Sequence, residues 1–221
     1  MRDPIKGKTE AGRRREQRAL QTRARIAEAA LRLFGERGYV ATTVEAIAAD
    51  AAVAPATVYQ AFGTKQGVLA RALDATITGD AQPVALLDRE WVAAARRQRD
   101  ARRRLAAVVR GAAQVAAQTA ALKEVMRDAA ATDPMVRDLI RDDHERRRET
   151  QRALVQIAVG DDALRPGMTC DRAADAFFLL VNSSTYQLTT EVLGWSDHDW
   201  QQWLVELLTR EFFGGISTER R

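Results

Sequence analysis

Apolar side chains recur in this chain at steps of three and four over most of its length, a spacing that closes off most folds. Ile26, Ala29, Ala30, Leu33 and Phe34 fall at i, i+3, i+4, i+7 and i+8, the stripe of a helix with one buried face. The pattern returns in Val44, Ile47, Ala48 and Ala51, in Val68, Leu69, Ala72, Leu73 and Ile77, and in Trp200, Trp203, Leu204, Leu207, Leu208 and Phe212. Strand-type alternation is hard to find anywhere. The 41 alanines and 30 arginines are good helix formers and only 5 prolines interrupt them, so the expected fold class is all-α.

Other counts narrow the function classes. The longest apolar run is six residues, Ala176 to Val181, against about 18 needed to span a bilayer, so no membrane partner is expected. The opening MRDPIKGKTEAGRRREQR has no apolar stretch behind its basic start, which makes the cytoplasm the expected address. Cys170 is the single cysteine, with only His144 and His198 beside it in the ligand inventory. No internal disulfide, zinc cage, other metal site or cofactor is expected. Charge is uneven: residues 1–70 hold 12 Lys or Arg against 7 Asp or Glu, and residues 71–221 hold 22 against 23. A basic first third suggests a polyanionic partner, and a solubilising tail is the plainer alternative.

The pattern divides into four stretches. Residues 1–15 lack periodicity, carry Arg13, Arg14 and Arg15, and read as a mobile basic arm. Residues 16–63 begin with a helix from Thr22 that Gly35 and Gly38 weaken and end, leaving Arg23, Arg25, Arg32 and Arg37 near solvent. Thr42 with Glu45 then has the form of a capping box opening a helix of about two turns. Pro55 suits the first turn of the next, with Val58 and Phe62 facing inward. Only a tight connection at Ala52–Ala54 lies between them, and two short helices joined in this way form a helix-turn-helix. Such pairs also occur in ordinary bundles. Residues 64–79 read as a linking helix capped by Thr64 and stopped at Gly79-Asp80. Residues 80–221 follow as a larger helical domain: a loop at Ala81–Leu87, a short helix opened by Trp91, helices over Ala101–Thr119 and Leu122–Ala131, one from Asp133-Pro134 to Val159, a loop at Asp161–Gly167, one from Asp171 to Leu193, and a last one capped by Ser196.

From Thr22 to Leu73 the residues resemble the TetR family of bacterial transcriptional regulators. The resemblance rests on Leu33-Phe34, Gly38-Tyr39, Thr42-Thr43-Val44, Ile47-Ala48, Val53, Thr57-Val58-Tyr59, Phe62 and Lys65, all in the family's order. It departs in the turn, where Ala52 stands for a glycine that tolerates positive φ and Ala54 for a serine that caps the recognition helix. A slightly altered turn with DNA binding retained is the expectation. The resemblance implies a sequence-specific DNA-binding regulator, a repressor that a small apolar or amphipathic effector releases from an inverted-repeat operator. Thr42 is then expected among the DNA contacts, with phosphates held by Thr43 at a helix N-terminus, by Tyr59 and by Lys65. Base edges fall to Pro55, Ala56, Thr57 and Gln60.

For residues 80–221 the resemblance is one of layout, a helical effector-binding and dimerisation domain. It implies a homodimer, for which the stripe Phe177, Trp200, Trp203, Leu204, Leu207 and Phe212 is the candidate seam, although a monomer core has the same look. Candidate effector contacts are Trp91, Gln114, Met126, Phe178, Asn182 and Tyr186. His144 sits among charges and reads as a solvated helix residue. A helical enzyme and an interaction module without DNA binding are the other classes. The first lacks a GxSxG, Walker, HExxH or dinucleotide signature, and the adjacent pairs Asp142-Asp143 and Asp161-Asp162 serve poorly as an acid/base couple. The second leaves the arginine arm and Lys65 without a role.

Overall fold

Helix-forming residues start earlier than the first apolar stripe does, and so does the first helix. In the computed structural model, which describes residues 10–78, 85–162 and 164–214, helix α1 spans Glu10–Ala41. The arm expected over 1–15 is therefore helical from Glu10 on, while residues 1–9 lie outside the described range. Glu, Gln, Ala and Arg need no tertiary support to favour a helix, and Arg14 pairs with Glu10 one turn back at 2.5 Å. Gly38 breaks α1 near its end with φ 74°. Helices α2 (Val44–Asp50), α3 (Pro55–Phe62) and α4 (Lys65–Thr78) follow. Ile26, Ala29, Ala30, Phe34, Ile47, Ala48, Val58, Val68, Leu69, Ala72 and Leu73 are all buried, so each stripe points inward as its spacing requires. Thr64 caps α4 by accepting the Gly67 N–H at 3.1 Å. The chain divides into two compact units between Ala75 and Thr76.

The second unit holds α5 (Glu90–Arg96), α6 (Ala101–Ala130), α7 (Pro134–Val159), α8 (Cys170–Leu180), α9 (Ser183–Gln187) and α10 (Asp197–Phe213). Among the described residues there is no strand. Of the loop expected at 81–87, residues 81–84 lie outside the described range and Leu86–Asp88 form one 3-10 turn. Asp133 caps α7 through the Met135 N–H, with Pro134 in the first turn, and Ser196 with Asp199 forms a reciprocal capping box on α10. Helix α6 lies at the centre of the unit, against α5, α7, α9 and α10. It is also long and apolar enough to cross a membrane on length and composition alone. Its apolar stripe is instead spent on the core, with Leu105, Val108, Val109, Ala113 and Met126 buried.

Two readings of this unit need correction. The two helices expected over 101–131 are one, because Ala120 and Ala121 carry no breaking signal. The hydroxyl of Thr119 is taken up by the carbonyls of Val115 and Ala116 within the helix. Conversely, the single helix expected over 171–193 is broken. At Val181 the backbone leaves the helical region (φ −94°, ψ 77°), and Asn182 starts α9 by accepting the N–H groups of Ser184 and Thr185. Gln151 of α7 donates to the freed Val181 carbonyl at 3.0 Å. A π-helical turn, Leu188–Val192, follows α9.

The segment between α7 and α8 is anchored by a side chain that periodicity does not mark. Arg104 of α6 is about nine-tenths buried and donates to the carbonyls of Gln98, Arg99, Ala158 and Val159 and to the Asp162 carboxylate at 2.5–3.1 Å. Gly160 must stay bare there: its φ is +58°, and a Cβ would lie 2.8 Å from the Arg104 guanidinium. The core beside it contains Leu105, Leu154, Phe177, Trp200, Leu204, Leu208 and Phe212, all within 1% of full burial. Phe177, Trp200, Leu204 and Phe212 therefore pack the interior of their own unit and are not a seam between subunits. Large side chains buried this fully contribute about 1.5–3 kcal/mol each to folding.

Candidate nucleic-acid interface and effector cleft

The turn between α2 and α3 carries the departures from the usual pattern. The Ala52 N–H donates to Ala49 at 3.1 Å and the Val53 N–H to Ala48 at 2.9 Å, the paired bonds of a Schellman motif. That motif puts Ala52 in the left-handed region, and its φ of 51° is the only positive value at a non-glycine residue among those described. A methyl group in this region costs about 1 kcal/mol. Compensation comes from Arg25 on α1, whose guanidinium donates to the carbonyls of both Ala51 and Ala52. Arg32, also on α1, holds Asp50 at the end of α2 at 2.5 Å. Both arginines are exposed, as their place beside the stripe suggests, yet they brace the turn. Ala54 offers no side-chain cap to α3; in the first turn Pro55 has no N–H and the Thr57 N–H donates to the Ala54 carbonyl at 2.9 Å.

The side chains around the turn sort into outer and inner sets. Pro55, Ala56, Tyr59 and Gln60 are exposed on α3, Thr57 is half-buried, and Val58 is in the core. Thr43 is exposed and caps α2, its hydroxyl accepting the Ala46 N–H at 3.1 Å. Thr42 is different. It is fully buried, and its hydroxyl is shared between the carbonyls of Leu33 and Gly38 at 3.0 and 2.8 Å. The cap therefore falls one residue later than expected, at Thr43, where Ala46 stands at the third position and no reciprocal box forms, and Thr42 is removed from the expected DNA contacts. It seals the end of α1 where Gly38 frees carbonyls. Lys65 stands 4.1 Å above the Tyr39 ring, with Nζ 3.5 Å from the Val40 carbonyl, so its ammonium is held at the start of α4 rather than left to wander. Gly67 lets α4 begin so close to α3: a Cβ there would lie 2.1 Å from the Phe62 carbonyl oxygen.

In the second unit, the six residues chosen as effector contacts do not converge. Met126 and Asn182 line one small cleft, and Phe178 lines an open groove beside it. Gln114 is exposed on α6. Trp91 lies flat on Gly111, where a Cβ would fall 2.3 Å from its ring. Tyr186 packs edge-on against Trp200 at 5.2 Å and donates its hydroxyl to Asp197 at 2.8 Å, a bond that holds its pKa above the usual phenol value. Trp91, Gln114 and Tyr186 are thus structural or outward-facing. Missed from the sequence were Lys123, Arg127 and Arg147, which line the cleft with His144. His144 is held below its ordinary pKa, first by burial and then by Arg147. No group of His, Cys, Asp or Glu suited to a metal exists among the described residues.

The sequence profile of bacterial regulatory proteins of the TetR family matches residues 26–72, the stretch that builds α1 to α4 around this turn. The chain carries a TetR-family DNA-binding domain. That makes it a DNA-binding transcriptional regulator. Solved structures share the fold. A choline-bound protein of Saccharomonospora viridis, assigned as a transcriptional regulator, is 23% identical with a TM-score of 0.63, covering 87% of this chain and 97% of its own. The transcriptional regulator FadR of Bacillus subtilis, in complex with stearoyl-CoA, is 17% identical with a TM-score of 0.66, covering 87% and 98%. NalD of Pseudomonas aeruginosa, the secondary repressor of the MexAB-OprM multidrug efflux pump, is 17% identical with a TM-score of 0.62, covering 87% and 97%. No curated protein matches the sequence at a significant level. The matched stretch includes α3, whose outward row the fold leaves free of packing duties.

Proposed function

We propose that the chain is a cytoplasmic repressor that binds an inverted-repeat operator as a homodimer and is released from it by a small-molecule effector. The observation that carries this reading is the face of α3, where Pro55, Ala56, Tyr59 and Gln60 are exposed beside an uncapped helix N-terminus, flanked by Thr43 and Lys65. Helix N–H groups and the helix dipole favour an anion. In this reading Thr43, Tyr59 and Lys65 hold phosphates, Gln60 and Thr57 hydrogen-bond base edges, and Pro55 and Ala56 touch thymine methyl groups. Two recognition helices must meet one duplex, which calls for a dimer. The side chains best placed to form its seam are the exposed Leu188, Val192 and Leu193, with the half-buried Trp203 and Leu207 of α10. Neighbours of the same fold that carry choline or stearoyl-CoA, or repress an efflux pump, support an effector-responsive repressor over an enzyme or a bare interaction module.

The experiment is selection of bound duplexes from a random pool, followed by affinity measurement against salt. The reading expects an inverted repeat and a steep fall of affinity with salt, about −0.9 in log K per log salt for each phosphate neutralised.

A further inference from the structure

Three basic side chains, Lys123, Arg127 and Arg147, and one carboxylate line the cleft of about 90 Å³ between α6, α7 and the start of α9. The carboxylate, Asp143, is already taken: its Oδ2 lies 3.0 Å from Lys123 Nζ, with both side chains largely buried. Arg127 donates to Ser184 Oγ at 2.9 Å and to Gln187 Oε1 at 2.8 Å, two neutral acceptors. Arg147 lies over the Phe178 ring at 3.9 Å and reaches the Phe178 carbonyl at 3.4 Å, while its buried Nε has no partner. A buried cationic donor left unfilled, here Arg147 Nε, is unfavourable, and among the described residues neither guanidinium is in an ion pair with a carboxylate, Asp143 acting on Arg147 only from longer range. Burial pushes Lys123 and Arg147 below their ordinary pKa values, which a second anion would reverse.

The dimensions say what kind of anion. The cleft is small beside the groove next to it, about 90 against about 660 Å³, so it suits the head of a ligand rather than its whole length. Ile140 and His144 also line the neighbouring groove, which offers about 660 Å³ of open space over an apolar strip of Ile140, Phe178 and Leu179 between charged side chains that include Arg141, Arg148 and Asp175. We propose that this cleft seats the oxyanion head of a small amphipathic molecule, a carboxylate or a phosphate monoester, with Arg127 and Arg147 as its ligands and an apolar tail lying over Phe178. Planar, forked donors suit carboxylate and phosphate alike. The proposal rests on the effector-responsive reading above for its use in regulation; the binding itself is a property of the second unit.

The test uses the full chain without DNA. Octanoate and octyl phosphate are titrated by calorimetry, with octanol, octyltrimethylammonium and inorganic phosphate as comparisons. Both octyl anions bind at least tenfold more tightly than octanol or the ammonium, the tighter of the two identifies the head group, and inorganic phosphate binds more weakly than octyl phosphate. Arg147→Gln and Arg127→Gln each weaken octanoate at least tenfold, whereas Arg110→Gln on the exposed side of α6 changes it less than twofold. Circular dichroism checks that each variant is folded, and because Arg127 is exposed, its variant keeps the test available if Arg147→Gln does not fold. Octanol binding as well as the anions, or both folded arginine variants binding octanoate like the parent, overturns the proposal. Retention of a selected duplex, measured separately, tells the two failures apart. DNA bound with no anion preference sinks only the cleft; anion preference with no duplex retained sinks only the regulator.

Discussion

Ala52 and Ala54 show how much a single residue decides in the turn. Ala52→Gly removes the methyl group from a left-handed position and stabilises the protein by about 1 kcal/mol. Ala54→Ser supplies the missing cap of α3 and adds about 1 kcal/mol. Chemical denaturation measures both, and a destabilised A52G would contradict the strain assigned to φ 51°. The need for a positive φ at residue 52 was legible because the motif around it is specific. Thr42 was misplaced because two adjacent threonines both satisfy the capping pattern, and only the break at Gly38 decides which one turns inward. At the DNA face, Lys65→Ala is expected to weaken binding to every duplex and make its salt dependence shallower by about one unit for each half-site, whereas Gln60→Ala relaxes sequence preference. An unchanged salt slope in the Lys65 variant would remove that residue from the phosphate contacts.

Between elements, the links carried by polar side chains were the hardest to read. Capped boundaries such as Asp133-Pro134 and Ser196–Asp199 announce themselves in sequence, because the cap and the first turn are local. The bond from Gln151 to Val181 and the three bonds of Arg104 to Ala158, Val159 and Asp162 are long-range and lie at positions that periodicity marks only as one charged or polar residue among many. The break of the helix at Val181 was invisible for a related reason, since Ala176 to Val181 is an unbroken apolar run and only the following Asn182 can cap. Arg104→Met is expected to destabilise the protein by at least about 3 kcal/mol, because four backbone carbonyls and Asp162 lose their donor. Thermal unfolding reports it, and a loss under about 1 kcal/mol would show that solvent replaces those bonds.

Across the whole molecule, the buried stripe and the exposed one have opposite roles. Leu204→Glu places a charge in the core of the second unit and is expected to unfold it, whereas Leu188→Glu with Val192→Glu leaves a folded chain that sediments as a monomer and loses operator affinity. A folded L204E dimer would reverse that assignment. An effector acts only through a difference in affinity between states, so operator and effector must weaken each other by the same factor, about 5- to 150-fold for coupling of 1–3 kcal/mol. The fold class and the exposed face of α3 were legible in sequence because helical spacing and a dense local motif define them. The cleft was not, because its cations come from positions 123, 127 and 147, and nothing local joins α6 to α7. The central claim is that the face of α3 reads duplex DNA. The most direct measurement is the affinity of the full chain for its selected duplex from about 50 to 200 mM salt, beside a Tyr59→Ala, Gln60→Ala variant. The account predicts an inverted-repeat site, a slope of several log units per log unit of salt, and at least a hundredfold weaker binding by the variant. A flat salt dependence, or a folded variant that holds the same site as tightly as the parent, would contradict it.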